Sequence, residues 1–216
     1  MWCPMSPPEA RLVSAILKPK LTPAEYLAHE RAAEFRSEYY RGETFAMAGA
    51  SKEHNRLKQN LIGELVGRLK DGPCESFSSG QRVKVSSTGL YTYPDIVIVC
   101  GQAEYDPEDE NTLLNPVVVI EVLSPSTMNY DRGAKFRQYQ QLPSVMEIVL
   151  VYQDEPVIER FVRQSDGAWS LTVLEGLAGE LAFASVPARI SVAEIYRRVT
   201  FPAKPAGEPG GGKRFG

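Results

Sequence analysis

A chain of 216 residues, 43% apolar and 24% charged, has the make-up of a globular protein long enough to bury a core without disulfides or structural metal. Its formal net charge of −3 supplies no global pull toward nucleic acid, so phosphate binding has to rest on a local group of Lys and Arg. Cys3, Cys74 and Cys100 are odd in number and form no CxxC pair, which excludes zinc-ribbon spacings and fits small incidental residues in a reducing compartment.

Residues 1–20 carry Pro4, Pro7, Pro8 and Pro19 with Glu9 and Arg11 between them, so an irregular arm is expected and no signal or membrane segment. A cytoplasmic protein without a membrane partner follows from that reading. Residues 21–200 read as one domain, and residues 201–216, with Pro205, Pro209 and Gly210-Gly211-Gly212, as a disordered tail. Thr22-Pro23-Ala24-Glu25 joins an N-cap, a first-turn proline and an early acid, which predicts a helix running toward Ala33. Glu38 to Ala48 predicts a strand pair around Gly42, and Ser51 caps a helix from Lys52 to Leu69.

On that helix Leu57, Leu61, Ile62, Leu65 and Leu69 make one apolar stripe, suited to packing on a sheet. His54 shares the face, where a hydrogen-bonded core role is expected ahead of a catalytic one. Glu64 at the stripe's margin is expected to meet solvent. Gln81 to Ser86 and Asp95 to Cys100 read as strands, and Pro116 to Leu123 as a central strand rich in β-branched residues. Between the last two, Gly101 to Asn115 is expected as an acidic, solvated loop.

Two acids sit where burial is costly. Glu121 ends the run Val117-Val118-Val119-Ile120, and Asp95 stands before Ile96-Val97-Ile98-Val99, held extended by Pro94. If those strands are neighbours, the carboxylates converge as hard oxygen ligands of the kind Mg²⁺ takes beside water and phosphate. The structural alternative is open at this point: Asp95 bonded to a backbone amide, Glu121 paired with an arginine. Asp131 is a candidate N-cap for a helix to about Leu142, and Arg132, Lys135 and Tyr139 fall at spacings that share one face. Strands follow at Glu147 to Tyr152, Val157 to Arg163 and Trp169 to Leu174, joined as hairpins. Neither a P-loop nor a GxGxxG element is present. The order predicts an α/β (α+β) protein with a mixed central sheet, flanking helices, an extra N-terminal helix and C-terminal hairpins.

The succession Pro94-Asp95, Glu121-Val122-Leu123-Ser124-Pro125-Ser126, Asp131, Lys135 and Tyr139, with Glu38, Gly42-Glu43 and His54 before it, resembles the Uma-type restriction endonucleases of the PD-(D/E)XK superfamily. The resemblance covers roughly residues 21 to 197. It implies a restriction-endonuclease-like core, Mg²⁺ (or Mn²⁺) held by Asp95 and Glu121, DNA phosphodiester cleavage and a homodimer. The superfamily's lysine falls two residues after the second acid, where this chain has Leu123; the resemblance implies that Lys135 replaces it from the following helix. Glu38, His54, Asp131 and Tyr139 take supporting roles. Two alternatives remain: a catalytically inactive nucleic-acid-binding or assembly module, and a hydrolase of another phosphate ester.

Overall fold

The computed structural model describes residues 20–47 and 49–203, so most of the expected arm, Cys3 and nearly all of the tail lie outside the described residues. Helix α1 (Pro23–Ala32) begins in a full capping box, with the Thr22 hydroxyl accepting from the Glu25 amide and the Glu25 carboxylate accepting from the Thr22 amide. Strands β1 (Ser37–Tyr40) and β2 (Glu43–Ala46) form a hairpin whose turn places Gly42 at φ +91°. Helix α2 (Lys52–Leu69) starts at Ser51, whose hydroxyl accepts from the His54 amide, and buries Leu57, Leu61, Leu65 and Leu69.

Then come β3 (Cys74–Ser78), β4 (Arg82–Val85), β5 (Leu90–Thr92), β6 (Ile96–Cys100), β7 (Tyr105–Asp106), β8 (Asp109–Leu113) and β9 (Val118–Leu123). Helix α3 follows as three consecutive segments, Met128–Tyr130, a π turn Asp131–Lys135, and Phe136–Tyr139. The chain continues through β10 (Glu147–Tyr152), β11 (Val157–Arg163), β12 (Trp169–Glu175), β13 (Glu180–Ala182), β14 (Arg189–Ser191) and a short helix Val192–Ile195.

The strands make two six-stranded sheets where the sequence predicted one: β2-β1-β5-β4-β8-β7 and β12-β11-β10-β9-β6-β3, with β13-β14 as a separate pair. In the second sheet β9 runs parallel to β10 and antiparallel to β6, and β10-β11-β12 are the expected hairpins. Alternation divides its side chains. Ile96, Ile98, Ile120 and Val122 pack under the leucine stripe of α2, while Val97, Val99, Val119 and Leu123 face Tyr139 and the valines of β4. No helix among the described residues is long and apolar enough to cross a membrane.

Two expectations fail here. The acidic stretch from Gly101 to Asn115 is not a solvated loop; it carries β7 and β8, and Asp106 and Asp109 are buried. Lys84 donates to Asp106 at 2.5 Å and Arg82 pairs with Asp109, so β4 supplies the countercharge that makes burial tolerable. Nor are Cys74 and Cys100 incidental: they stand opposite each other on β3 and β6 and form a disulfide.

Candidate active site

The ladder between β6 and β9 pairs Ile96 with Ile120, Val97 with Val119 and Ile98 with Val118. One further step of that register sets Asp95 opposite Glu121, on the face that carries Val97 and Leu123. Asp95 Oδ2 accepts from the Val122 amide at 2.9 Å, and Glu121 Oε2 accepts from the Asp95 amide at 3.3 Å. Each carboxylate thus bonds the other strand where the ladder ends. The amide-bonded reading of Asp95 and the metal-ligand reading are therefore compatible.

Glu121 pairs with a lysine and not with an arginine. Lys135 Nζ lies 2.9 Å from Glu121 Oε1, 3.1 Å from Glu38 Oε1 and 3.9 Å from Asp131 Oδ1. The Tyr139 hydroxyl donates to Glu121 Oε1 at 2.5 Å. Burial lifts the Glu121 carboxyl to about 8 against the opposing pull of Lys135, with Asp131 and Asp95 adding repulsion. Burial also disfavours the Lys135 ammonium, but Glu121, Tyr139 and Glu38 together hold it well above its ordinary range. Asp131 is raised, chiefly by burial, whereas Glu38 lies low despite burial because Lys135 and Thr92 stabilise its charge.

Asp131 does not cap the helix. Helix α3 starts three residues earlier, at Met128, where the hydroxyl-rich turn Ser124 to Thr127 closes on itself, and it ends at Tyr139. In the π turn the Phe136 amide reaches back to the Asp131 carbonyl, a widened spacing that alters which residues share a face. Arg132 therefore leaves the expected basic face and pairs with Glu159 at 2.8 Å, while Lys135 and Tyr139 both turn to Glu121.

His54 lies on the sheet-facing side of α2, as expected, yet its ring is directed to the site: Nε2 is 2.9 Å from Asp95 Oδ1. Burial would raise Asp95, but the bond from His54 and the Val122 amide bring it below the usual carboxylate range, so Nε2–H donates. Glu64 stays at the surface, as expected, where it pairs with Arg68 one turn on.

Sequence reasoning passed over four residues. Lys58, one turn after His54, has Nζ 3.9 Å from Asp95 Oδ1 and donates to Ser79 Oγ at 3.1 Å; its spacing to His54 is the one signal available. Thr92 and Tyr130 donate to the two oxygens of Glu38, and Arg36 reaches the Ser79 carbonyl. Apart from that spacing, each of these contacts joins residues at least 21 apart in the chain, beyond the reach of a local pattern.

These groups open on a cleft of about 930 Å³ that Asp95, Glu121, His54, Lys58 and Lys135 line. Among the described residues no set of three or more His, Cys, Asp or Glu could enclose a metal ion unaided. Two carboxylates in an open cleft, with the remaining positions left to water and a substrate phosphate, suit a hard divalent ion such as Mg²⁺. Glu121, lifted by burial, is a carboxyl whose ionised form such an ion would favour.

Residues 23–192 match the family Uma2, described as “Putative restriction endonuclease”. The chain belongs to this family. Two relatives of the Uma2 chain come from Synechocystis sp. (strain ATCC 27184 / PCC 6803 / Kazusa), the uncharacterized proteins slr1290 and sll1609. The first is 34% identical over 85% of this chain and 95% of its own length. The second is 34% identical over 76% and 92% respectively. A crystal structure of “a putative nuclease belonging to DUF820” from Anabaena variabilis ATCC 29413 superposes with a TM-score of 0.62 at 17% identity, covering 76% of this chain and 91% of that one. At that identity the likeness concerns the fold, which is nuclease-like.

Proposed function

We propose that this Uma2 protein is a metal-dependent endonuclease that hydrolyses DNA phosphodiester bonds, with Asp95 and Glu121 as metal ligands and Lys135 as the catalytic cation. The observation that carries the reading is the meeting of Asp95, Glu121 and Lys135 in one cleft, although the lysine comes from α3 and Leu123 fills its usual place in the core. When bound, Mg²⁺ or Mn²⁺ supplies Lewis acidity toward a phosphate oxygen and acidifies a coordinated water.

The residues divide the remaining work. His54 and the Val122 amide keep Asp95 ionised, and the Tyr139 hydroxyl fixes one oxygen of Glu121. Lys135 is oriented by Glu38 and Asp131 so that its ammonium offsets charge gathering on the phosphate in the transition state. Purified protein should bind Mn²⁺ and nick supercoiled DNA, and Asp95→Ala should lose both while keeping its far-ultraviolet circular dichroism. An Asp95→Ala protein that still cleaves in response to metal would overturn the assignment.

One observation favours the module without catalysis: three carboxylates already enclose Lys135, as in a purely structural ion cluster. That reading predicts DNA binding that Lys135→Met leaves within about twofold, and no cleavage under any metal. A homodimer, implied by the family resemblance, is tested by sedimentation equilibrium.

A further inference from the structure

Nine large hydrophobic side chains stand exposed among the described residues, and four of them, Phe35, Phe45, Met47 and Tyr130, line the cleft of Asp95 and Glu121. Single exposed hydrophobics need no explanation, but a cluster beside a polar site marks a docking place. Phe35 is 77% exposed and Phe45 48%. Register fixes where Phe45 points: it stands opposite Glu38 on the β1–β2 hairpin, and opposed residues project from the same face. Glu38 holds Lys135, so the Phe45 ring is carried on the face that meets the candidate metal site. The Met47 amide bonds the Arg36 carbonyl, which extends the hairpin and keeps Phe35 and Met47 at the same mouth.

Lys58 and Arg36 border the same cleft, both anchored on Ser79. Unlike Lys135, neither is enclosed by carboxylates. Two cations are few for gripping the paired phosphate chains of a duplex, whereas exposed rings beside a narrow basic track are the means by which unpaired strands are held. We propose that the cleft takes an unpaired DNA strand, its bases stacked on Phe35 and Phe45 and its backbone led past Lys58 and Arg36 to Asp95 and Glu121. This deepens, and rests on, the nuclease reading of the same cleft.

Fluorescence anisotropy with Ca²⁺ in place of Mg²⁺ tests it, using a labelled oligothymidylate of about twelve nucleotides and a duplex of equal length. The parent should bind the single strand at least tenfold more tightly. The Phe35→Ala/Phe45→Ala double variant should lose roughly tenfold or more on the single strand and little on the duplex, and Phe45→Trp should retain affinity with its fluorescence quenched by stacked bases. The slope of log K against log salt should be shallow, about −1.4 for two phosphate contacts. Preference for the duplex, or single-strand affinity untouched by the alanines, would overturn the proposal. Alanines that change the sedimenting mass but not the affinity would assign the rings to contact between two copies of the chain. Strand binding without any Mg²⁺- or Mn²⁺-dependent cleavage would overturn the nuclease reading and leave the stacking site; cleavage with ring-independent binding would do the reverse.

Discussion

Asp95 and Glu121 face each other across one ladder step, yet their environments drive them apart: His54 and an amide hold Asp95 low, and burial lifts Glu121 to about 8. The linkage has a definite sign. An unfolded glutamate loses its proton near its ordinary value of 4.5, while the folded metal-free chain keeps it on Glu121 to about 8. The folded state therefore holds the extra proton between those values, and this group's contribution to stability falls as pH rises through that window. Asp95 acts oppositely and only at low pH: its contribution is present above 3.8 and lost below it. Glu121→Gln should abolish cleavage and flatten the decline, leaving the variant more stable than the parent at pH 8 by on the order of a few kcal/mol. Urea denaturation at pH 5 and pH 8 reads this directly, and an unchanged difference between the two pH values would contradict it.

Both acids were legible in the sequence because an ionisable group against a β-branched run has no cheap place to go. The residues that serve them were less so. Glu38, Thr92 and Tyr130 meet across separations of 54 and 92 residues, and nothing in their local surroundings announces it.

At the scale of elements, caps and periodic stripes located α1 and α2 almost to the residue, because their determinants are local. The β7–β8 hairpin was hidden for the opposite reason. Its acids look like a solvated loop until Arg82 and Lys84 arrive from β4, 27 and 22 residues away. Arg82→Met should then cost about 3–5 kcal/mol by removing the buried partner of Asp109 and leaving it only the more exposed Arg31, and adding Asp109→Leu should recover most of that loss. A double variant no more stable than Arg82→Met would contradict the pairing as the cause. The π turn of α3 is likewise invisible to a 3.6-residue wheel, and it turns Arg132 away from Lys135 toward Glu159. Within α2 a Cβ at Gly67 would meet nothing within 4 Å, so Gly67→Ala should stabilise the chain by about 0.5–1 kcal/mol without touching the site, as thermal unfolding can check.

Across the whole molecule, the sheet of β6, β9 and β10 packs α2 on one face and the other sheet with α3 on the other, and the cleft opens where β6 and β9 stop pairing. The disulfide ties the edge strand β3 to β6 across a separation of 26 residues. Its reduction should lower stability by about 3–4 kcal/mol on chain-entropy grounds while the paired strands hold the fold; equal urea midpoints with and without reductant would contradict this. Counting cysteines did not reveal the bond, because the pair is made by strand register and not by spacing.

The decisive measurement is cleavage of supercoiled DNA in Mg²⁺ or Mn²⁺ by the parent beside Glu121→Ala and Lys135→Ala, each checked for folding. Activity in the parent, lost with either substitution, is the predicted result and would make the lysine of α3 part of a working metal-dependent nuclease site. A parent inert under every metal, or a Lys135→Ala protein that cleaves as fast as the parent, would contradict it.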